Sequence, residues 1–251
     1  MRPIGPDLAT EQQELSDLLA SRAESDWTLA TRCEGWTVAD VVLHLAQTNE
    51  AALASITGRG RTPAMASFSG PAASGTVDDR VEAMVTAERG SSPADIRRRW
   101  QLGVDALAAA VAETDPRARV PWVAGELTVR TLATTRLAET WIHAGDVADA
   151  VGVQRRPTDR LWHVARLAWR TLPYAFARAG RELTGPVAMD LRSPSGEAWP
   201  LKPDARAATV ISGRGEELCL VAARRLPPDA TGLVGDGPDG AAVLELVRTY
   251  A

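Results

Sequence analysis

The sequence predicts a mainly helical fold that ends in a small α+β domain. Apolar residues recur every three or four positions through the first two thirds of the chain, as on amphipathic helices. Residues that cap helices stand before several of these stretches, and glycines follow them. After Gly180 the pattern changes to the alternation typical of strands. We therefore assign a helical domain to residues 1–155, and a connecting helix with a small α+β domain to residues 156–251.

Capping residues and apolar stripes predict five helices in the first domain. Thr37 and Asp40 are spaced as a capping box, and Ser92 precedes a proline at the start of another helix. The predicted helices cover residues 8–25, 38–56, 77–88, 93–113 and 128–152. Such helices pack as an antiparallel bundle, and ligand sites in bundles are built from side chains on facing helices.

The remaining segments are predicted as follows. Residues 58–75 are rich in Gly, Pro, Ser and Ala and should form a loop, of the length often found in lids and binding loops. A second loop is expected at 115–125. The second domain should contain a helix at 158–179, strands at 186–192, 197–200 and 208–213, and helices at 216–225 and 241–250.

Composition excludes several classes of function. The chain has 251 residues, a net charge of -4 and a pI near 5.5, which argue against broad binding to nucleic acid or anionic membranes. No apolar run approaches membrane-spanning length, and a cytoplasmic protein is expected. Cys33 and Cys219 are far apart in the sequence, so the spacing suggests neither a disulfide framework nor a cysteine zinc site.

Glu139 and His143 are the strongest candidates for chemistry. Four residues apart on one helix, they project from the same face. With His44 from an earlier helix they would complete a His-Glu-His set, which leaves a fourth position on a zinc ion open. The alternative is an ordinary surface pair on a helix. Apolar neighbours of Glu139 argue against that alternative, because an unpaired carboxylate there would be costly.

Other polar residues near these three are candidates for supporting roles. Asp146 and Arg136 lie three residues from His143 and Glu139 respectively, and either could orient a metal ligand. Gln47 and Thr48, one turn beyond His44, could face the same cavity. The third histidine, His163, has no acidic partner at helical spacing and is interpreted as structural.

Two segments resemble one known family. Residues 31–46, TRCEGWTVADVVLHLA, resemble the signature before the first metal ligand of mycothiol-dependent maleylpyruvate isomerases and their DinB-like relatives. Residues 139–147, ETWIHAGDV, resemble the second signature, which supplies the other two ligands. The resemblance implies a four-helix bundle that holds a divalent metal, usually zinc, through His44, Glu139 and His143.

The resemblance also implies a type of reaction. We expect an enzyme that uses a metal-activated small thiol, most simply mycothiol, to isomerise or substitute an electrophilic small molecule. Asp146 and Arg225 are the predicted catalytic residues: the family's smaller domain carries an arginine that closes over the site, and Arg225 matches it, with Arg224 as the adjacent alternative. A monomer or homodimer is expected. A thiol-independent hydrolase, lyase or cyclase, and a metal-stabilised binding module without activity, remain the alternatives.

Overall fold

The structure, a computed structural model, describes residues 2–58, 76–123 and 125–249, with Val77 and Asp78 described by their backbone alone. It separates into two compact units, Met1–Arg155 and Arg156–Ala251. Most of the chain is helical and the larger sheet lies in the second unit, as the sequence predicts. The predicted loop at 58–75 lies, from residue 59 onward, outside the described residues.

The first unit is built from helices that pack on one another. α2 packs along α4 and α5, and α1 also contacts both α4 and α5. Their shared core includes Leu15, Val41, Leu45 and the fully buried Trp100. The elements are α1 (Ile4–Ala20), a 3₁₀ turn (Glu24–Thr28), α2 (Val38–Thr57), α3 (Val77–Glu88), α4 (Pro93–Glu113), β1 (Arg119–Trp122), β2 (Gly125–Thr128) and α5 (Val129–Ala150).

The start of α2 is fixed by its cap. The Thr37 side chain accepts from the Asp40 backbone N–H, and the Asp40 carboxylate accepts from the Thr37 backbone N–H, which is the predicted capping box. Gly58 ends the helix in the left-handed conformation (φ 64°) that glycine adopts without strain. Since α2 is buried along most of its length, the polar residues it carries must find partners inside the unit.

Two predictions about local structure are wrong. The segment 115–125 is not simply a loop, because β1 and β2 pair there as an antiparallel hairpin that an Arg119–Glu126 ion pair joins across the strands. The helix expected at 158–179 is broken at Thr171 into two helices. Pro173 lies in the first turn of the second one, where its missing N–H costs nothing, whereas inside a continuous helix it would remove a hydrogen bond.

The second unit packs helices with a four-stranded sheet of order β4-β3-β5-β6. β3 and β5 are parallel, and the outer pairs are antiparallel. The last strand, three residues long, was not predicted. The elements are α6 (Leu161–Arg170), α7 (Leu172–Arg178), β3 (Val187–Arg192), β4 (Ala198–Leu201), β5 (Thr209–Arg214), α8 (Gly215–Ala222), a 3₁₀ turn (Pro228–Ala230), β6 (Val234–Asp236) and α9 (Gly240–Leu246). Among the described residues, no helix has the length and apolar character needed to cross a membrane.

The Asp40 carboxylate gives a test of the α2 cap. Burial opposes its ionisation, but hydrogen bonds from Thr37 and Arg89 outweigh burial and lower the pKa of Asp40. A lowered pKa stabilises the folded chain above the unfolded-state pKa, and this stabilisation is lost as pH falls through the folded-state pKa. We expect Asp40→Asn to cost about 1 kcal/mol at neutral pH. Its free energy of unfolding should also fall less than that of the parent between about pH 5 and pH 2.

Urea denaturation over this pH range measures both effects. Asp105→Asn is the matched control, because it changes an exposed carboxylate in the interior of α4 that takes no part in a helix cap. If the free energy of unfolding changes with pH in the same way for the parent and for Asp40→Asn, the prediction is contradicted.

Candidate metal centre

Three side chains from two helices converge in the first unit. His44 comes from the middle of α2, and Glu139 and His143 come from α5. The Oε2 atom of Glu139 lies 3.4 Å from His44 Nε2 and 3.7 Å from His143 Nε2. All three donor atoms lie within 4.8 Å of one another. The structure thus brings together the three residues that the sequence predicts as metal ligands. The atoms that approach one another are the nitrogen and oxygen atoms that could bind an ion.

The spacing of the donors fits a small divalent ion. Nitrogen and oxygen ligands bound about 2.1 Å from a tetrahedral zinc ion lie about 3.4 Å apart. The two measured separations are 3.4 and 3.7 Å, so such an ion could be held with little movement of these side chains. Two imidazoles and one carboxylate are also ligands that zinc takes in sites with an open fourth position. The residues present therefore fit the metal that the family resemblance implies.

His143 is held on its other side by an acid. Its Nδ1 atom lies 3.0 Å from Oδ2 of Asp146, which is three residues further along α5 and almost fully buried. A carboxylate at this nitrogen holds a proton on Nδ1, so an ion that replaces the other proton would find the Nε2 lone pair directed toward Glu139 and His44. This contact predicts that Asp146 acts through His143, as a positioning residue.

His44 is oriented by a tryptophan. The Trp36 ring packs against the His44 imidazole with 5.3 Å between ring centroids, and the two histidine rings meet edge to face at 5.2 Å. The Trp36 Nε1–H donates to the Glu82 carboxylate on α3. The Nδ1 atom of His44 is buried and has no hydrogen-bond partner among the described residues. Packing, rather than a hydrogen bond at Nδ1, fixes this ring.

The two histidines differ in their protonation. Burial lowers the pKa of His44 to about 4, so its imidazole is neutral at pH 7 and can donate a lone pair. Burial disfavours a charged His143, but Asp146, Cys33 and Glu139 outweigh it and raise the pKa of His143 well above its usual value. Burial also opposes ionisation of Glu139, but hydrogen bonds from His143 and His44 hold its pKa well below the usual range. Without a metal, the His143 cation therefore balances the Glu139 anion.

Some expected neighbours lie elsewhere. Gln47 does not face the site: its Nε2 donates to the Met84 carbonyl (3.0 Å) and to the Glu88 carboxylate (2.8 Å). The Thr48 hydroxyl donates back to the His44 carbonyl at 2.8 Å. Arg136 is fully buried, and its Nε donates to Asn49 Oδ1 at 3.2 Å. Of the two supporting residues considered beside His143 and Glu139, Asp146 is the one that hydrogen-bonds to a predicted ligand.

Arg225 and His163 belong to the second unit. The guanidinium of Arg225 donates to the Ala223 carbonyl at 2.9 Å, and that of Arg224 donates to the Glu245 carbonyl at 2.9 Å. The role of Arg225 toward a substrate remains a prediction. His163 is buried, and its ring packs edge to face against Trp162 at 5.2 Å.

Cys33 was missed at the sequence level. Its Sγ atom lies 3.4 Å from Oδ2 of Asp146 and 3.8 Å from Nδ1 of His143. The spacing of the two cysteines argues against a disulfide framework and a cysteine zinc site, but it has no bearing on a single thiol beside a histidine. The available signal was the position of Cys33 three residues before Trp36, in the segment that leads into α2.

Comparisons with known proteins identify a family and relatives of the chain. A family model described as the mycothiol maleylpyruvate isomerase N-terminal domain matches residues 8–148. Two Mycobacterium tuberculosis proteins, from strains CDC 1551 and H37Rv and both described as uncharacterized, are 30% identical to the chain, covering 99% of it and 95% of their own length.

Solved structures share the fold. The crystal structure of a mycothiol-dependent maleylpyruvate isomerase aligns with a TM-score of 0.63 at 21% identity, covering 95% of this chain and 96% of that one. A histidine-to-alanine mutant described by the same enzyme name aligns with a TM-score of 0.61 at 20% identity, with the same coverage.

The contact between Asp146 and His143 gives a test of the site. We expect Asp146→Asn to weaken zinc binding about 10- to 100-fold, because the amide no longer holds the Nδ1 proton with a full negative charge. Competition with a zinc chelator of known affinity measures this change. Asp149→Asn is the matched control, since Asp149 lies one turn further on the same helix and pairs with Arg32 at the surface. Equal zinc affinities for the two variants would refute the positioning role.

Proposed function

Since the chain belongs to the mycothiol maleylpyruvate isomerase family, we propose that it is a metal-dependent enzyme in which a small thiol adds to an electrophilic small molecule. The observation that supports this most is the convergence of His44, Glu139 and His143 on one point. The expected cofactors are a divalent metal, zinc in the first instance, and mycothiol. Maleylpyruvate, the substrate named for the structural neighbours, is the first compound to test.

Each ligand residue has a defined task in this proposal. His44 offers Nε2 as a neutral nitrogen, since burial lowers its pKa to about 4. Glu139 supplies one negative charge, which reduces the net charge of the site when a divalent ion is bound. His143 offers Nε2 while its Nδ1–H donates to the Asp146 carboxylate. Three protein ligands leave one coordination position for a cofactor or substrate.

The proposed chemistry requires a thiolate at neutral pH. A bound divalent ion supplies this by lowering the pKa of a coordinating thiol. The protein's part is to hold the ligands: the Glu139 side chain is about one quarter exposed, and the His44 side chain is buried. Thiolate addition to an activated double bond, rotation about the resulting single bond, and elimination of the thiol would isomerise the substrate with no net redox change.

Metal analysis tests the ligand set. We expect about one zinc ion per purified chain. Loss of a hydrogen-bond partner outside the ligand set typically weakens zinc binding about 10- to 100-fold. We expect His44→Ala and His143→Ala each to weaken it by more than this. The third histidine supplies a matched control: His163→Asn removes a buried imidazole of the second unit and should retain zinc. Full zinc occupancy in both ligand variants would refute the site.

Turnover assays test the thiol. The zinc-loaded chain should isomerise maleylpyruvate only when mycothiol is added, and a chelator should abolish the activity until zinc is restored. Activity that needs zinc but no thiol would favour the alternative that the chain is a hydrolase, lyase or cyclase with the same metal site. Zinc binding without turnover of any electrophile tested would favour a binding module.

Substitution of Arg225 tests substrate recognition separately from the metal. If Arg225 binds a substrate carboxylate, Arg225→Gln should raise KM about tenfold or more, the effect of losing a charged hydrogen bond. Its zinc content should not change. Arg224→Gln is the matched control at the adjacent position. A variant pair with the same KM would remove Arg225 from the proposal, and a higher KM in the Arg224 variant alone would transfer the role to Arg224.

A further inference from the structure

His143 has a second set of potential ligands on the side away from Glu139. Cys33 Sγ, His143 Nδ1 and Asp146 Oδ2 all lie within 4.8 Å of one another. The individual separations are 3.8 Å from sulfur to nitrogen, 3.4 Å from sulfur to the carboxylate, and 3.0 Å from nitrogen to the carboxylate. Cys33 is partly exposed, whereas Asp146 is almost fully buried.

The arrangement does not fit a nucleophilic triad. In a Cys-His-Asp triad the histidine receives the thiol proton on one ring nitrogen and contacts the acid through the other. Here the thiol and the acid both lie on the Nδ1 side, and the sulfur also contacts the acid directly. Three different donors that face one another around a single point are instead the arrangement that a cation requires.

The two sulfur distances suit such a cation, whereas the 3.0 Å from Nδ1 to Oδ2 would lengthen by about 0.4 Å, because nitrogen and oxygen ligands of a tetrahedral ion lie about 3.4 Å apart. A thiolate sulfur about 2.3 Å from a tetrahedral ion and a nitrogen or oxygen ligand about 2.1 Å from it lie about 3.6 Å apart. The two sulfur distances, 3.4 and 3.8 Å, bracket this value. A thiolate in the set favours a soft, thiophilic ion over a hard one such as Mg²⁺.

We propose that Cys33, His143 and Asp146 form a second cation site, selective for thiophilic divalent ions such as Cd²⁺, that competes with the first site for His143. Binding forms a sulfur–metal bond and a nitrogen–metal bond, and it releases two protons to solvent, one from the Cys33 thiol and one from His143 Nδ1. A neutral imidazole carries one proton and one lone pair, on opposite nitrogens. An ion at Nδ1 therefore places the proton on Nε2 and removes His143 from the set formed with His44 and Glu139.

The experiment uses the full chain, freed of metal and carrying His44→Ala, so that the first site lacks one ligand and the second is intact. Cadmium is added, and binding is measured by equilibrium dialysis together with the ultraviolet sulfur-to-cadmium charge-transfer absorption. We expect one Cd²⁺ per chain with this absorption. Adding Cys33→Ser should abolish the absorption, and adding Asp146→Asn should weaken binding about 10-fold or more.

Two further variants make the test specific. His44→Ala with Cys219→Ser should retain the absorption, because Cys219 is fully buried in the second unit. His44→Ala with His143→Ala should lose the absorption.

Two outcomes would overturn the proposal. One is unchanged absorption in the chain that lacks His143. The other is no absorption in the His44→Ala chain while its helical circular dichroism is intact. A His44→Gln chain is titrated in parallel, so that a misfolded His44→Ala chain cannot decide the outcome: sulfur absorption that depends on Cys33 and His143 there supports the site, and its absence overturns it. The result does not depend on turnover, so it stands or fails separately from the proposed enzyme.

Discussion

The compensation of the Glu139 charge is the constraint on which the first unit depends. A carboxylate largely withdrawn from water must be paired, or it destabilises the fold. Here the pairing comes from two imidazoles, one four residues away on α5 and one from α2. Because His44 lies on α2 and Glu139 lies on α5, their contact requires the two helices to lie side by side with a fixed offset along their axes. The cap at Thr37, which fixes where α2 begins, thereby also fixes where His44 meets Glu139.

The parts of the fold and site that were predictable from sequence are those with local causes. Helical spacing places Glu139 and His143 on one face, and the capping box sets the start of α2, so these features follow from short stretches of the chain. His44 could be joined to the pair only through the chemistry of a His-Glu-His ligand set and the family resemblance, because no local rule relates residues 95 positions apart.

The features that sequence reasoning missed have distant causes. The short strand β6 exists because Gly235 lies against Gly240, where a side chain would collide with backbone atoms 2.7 Å away. The hairpin of β1 and β2 depends on pairing between strands that are too short and polar to show an alternating pattern. The position of Cys33 beside His143 depends on how the segment before α2 folds back onto α5, across 110 residues of sequence.

The hydrogen bond between Trp36 and Glu82 links the His44 ring to α3, a helix that contributes none of the predicted ligands. Trp36 packs against the His44 ring, and its indole donates to Glu82 of α3. Arg89, the residue that follows α3, binds Asp40 near the start of α2. The orientation of a buried imidazole is therefore under the control of residues on a largely solvent-facing helix. Sequence drift at that surface would alter the geometry of the centre without touching any ligand, so relatives with identical ligand residues could differ in metal preference because of changes one layer further out.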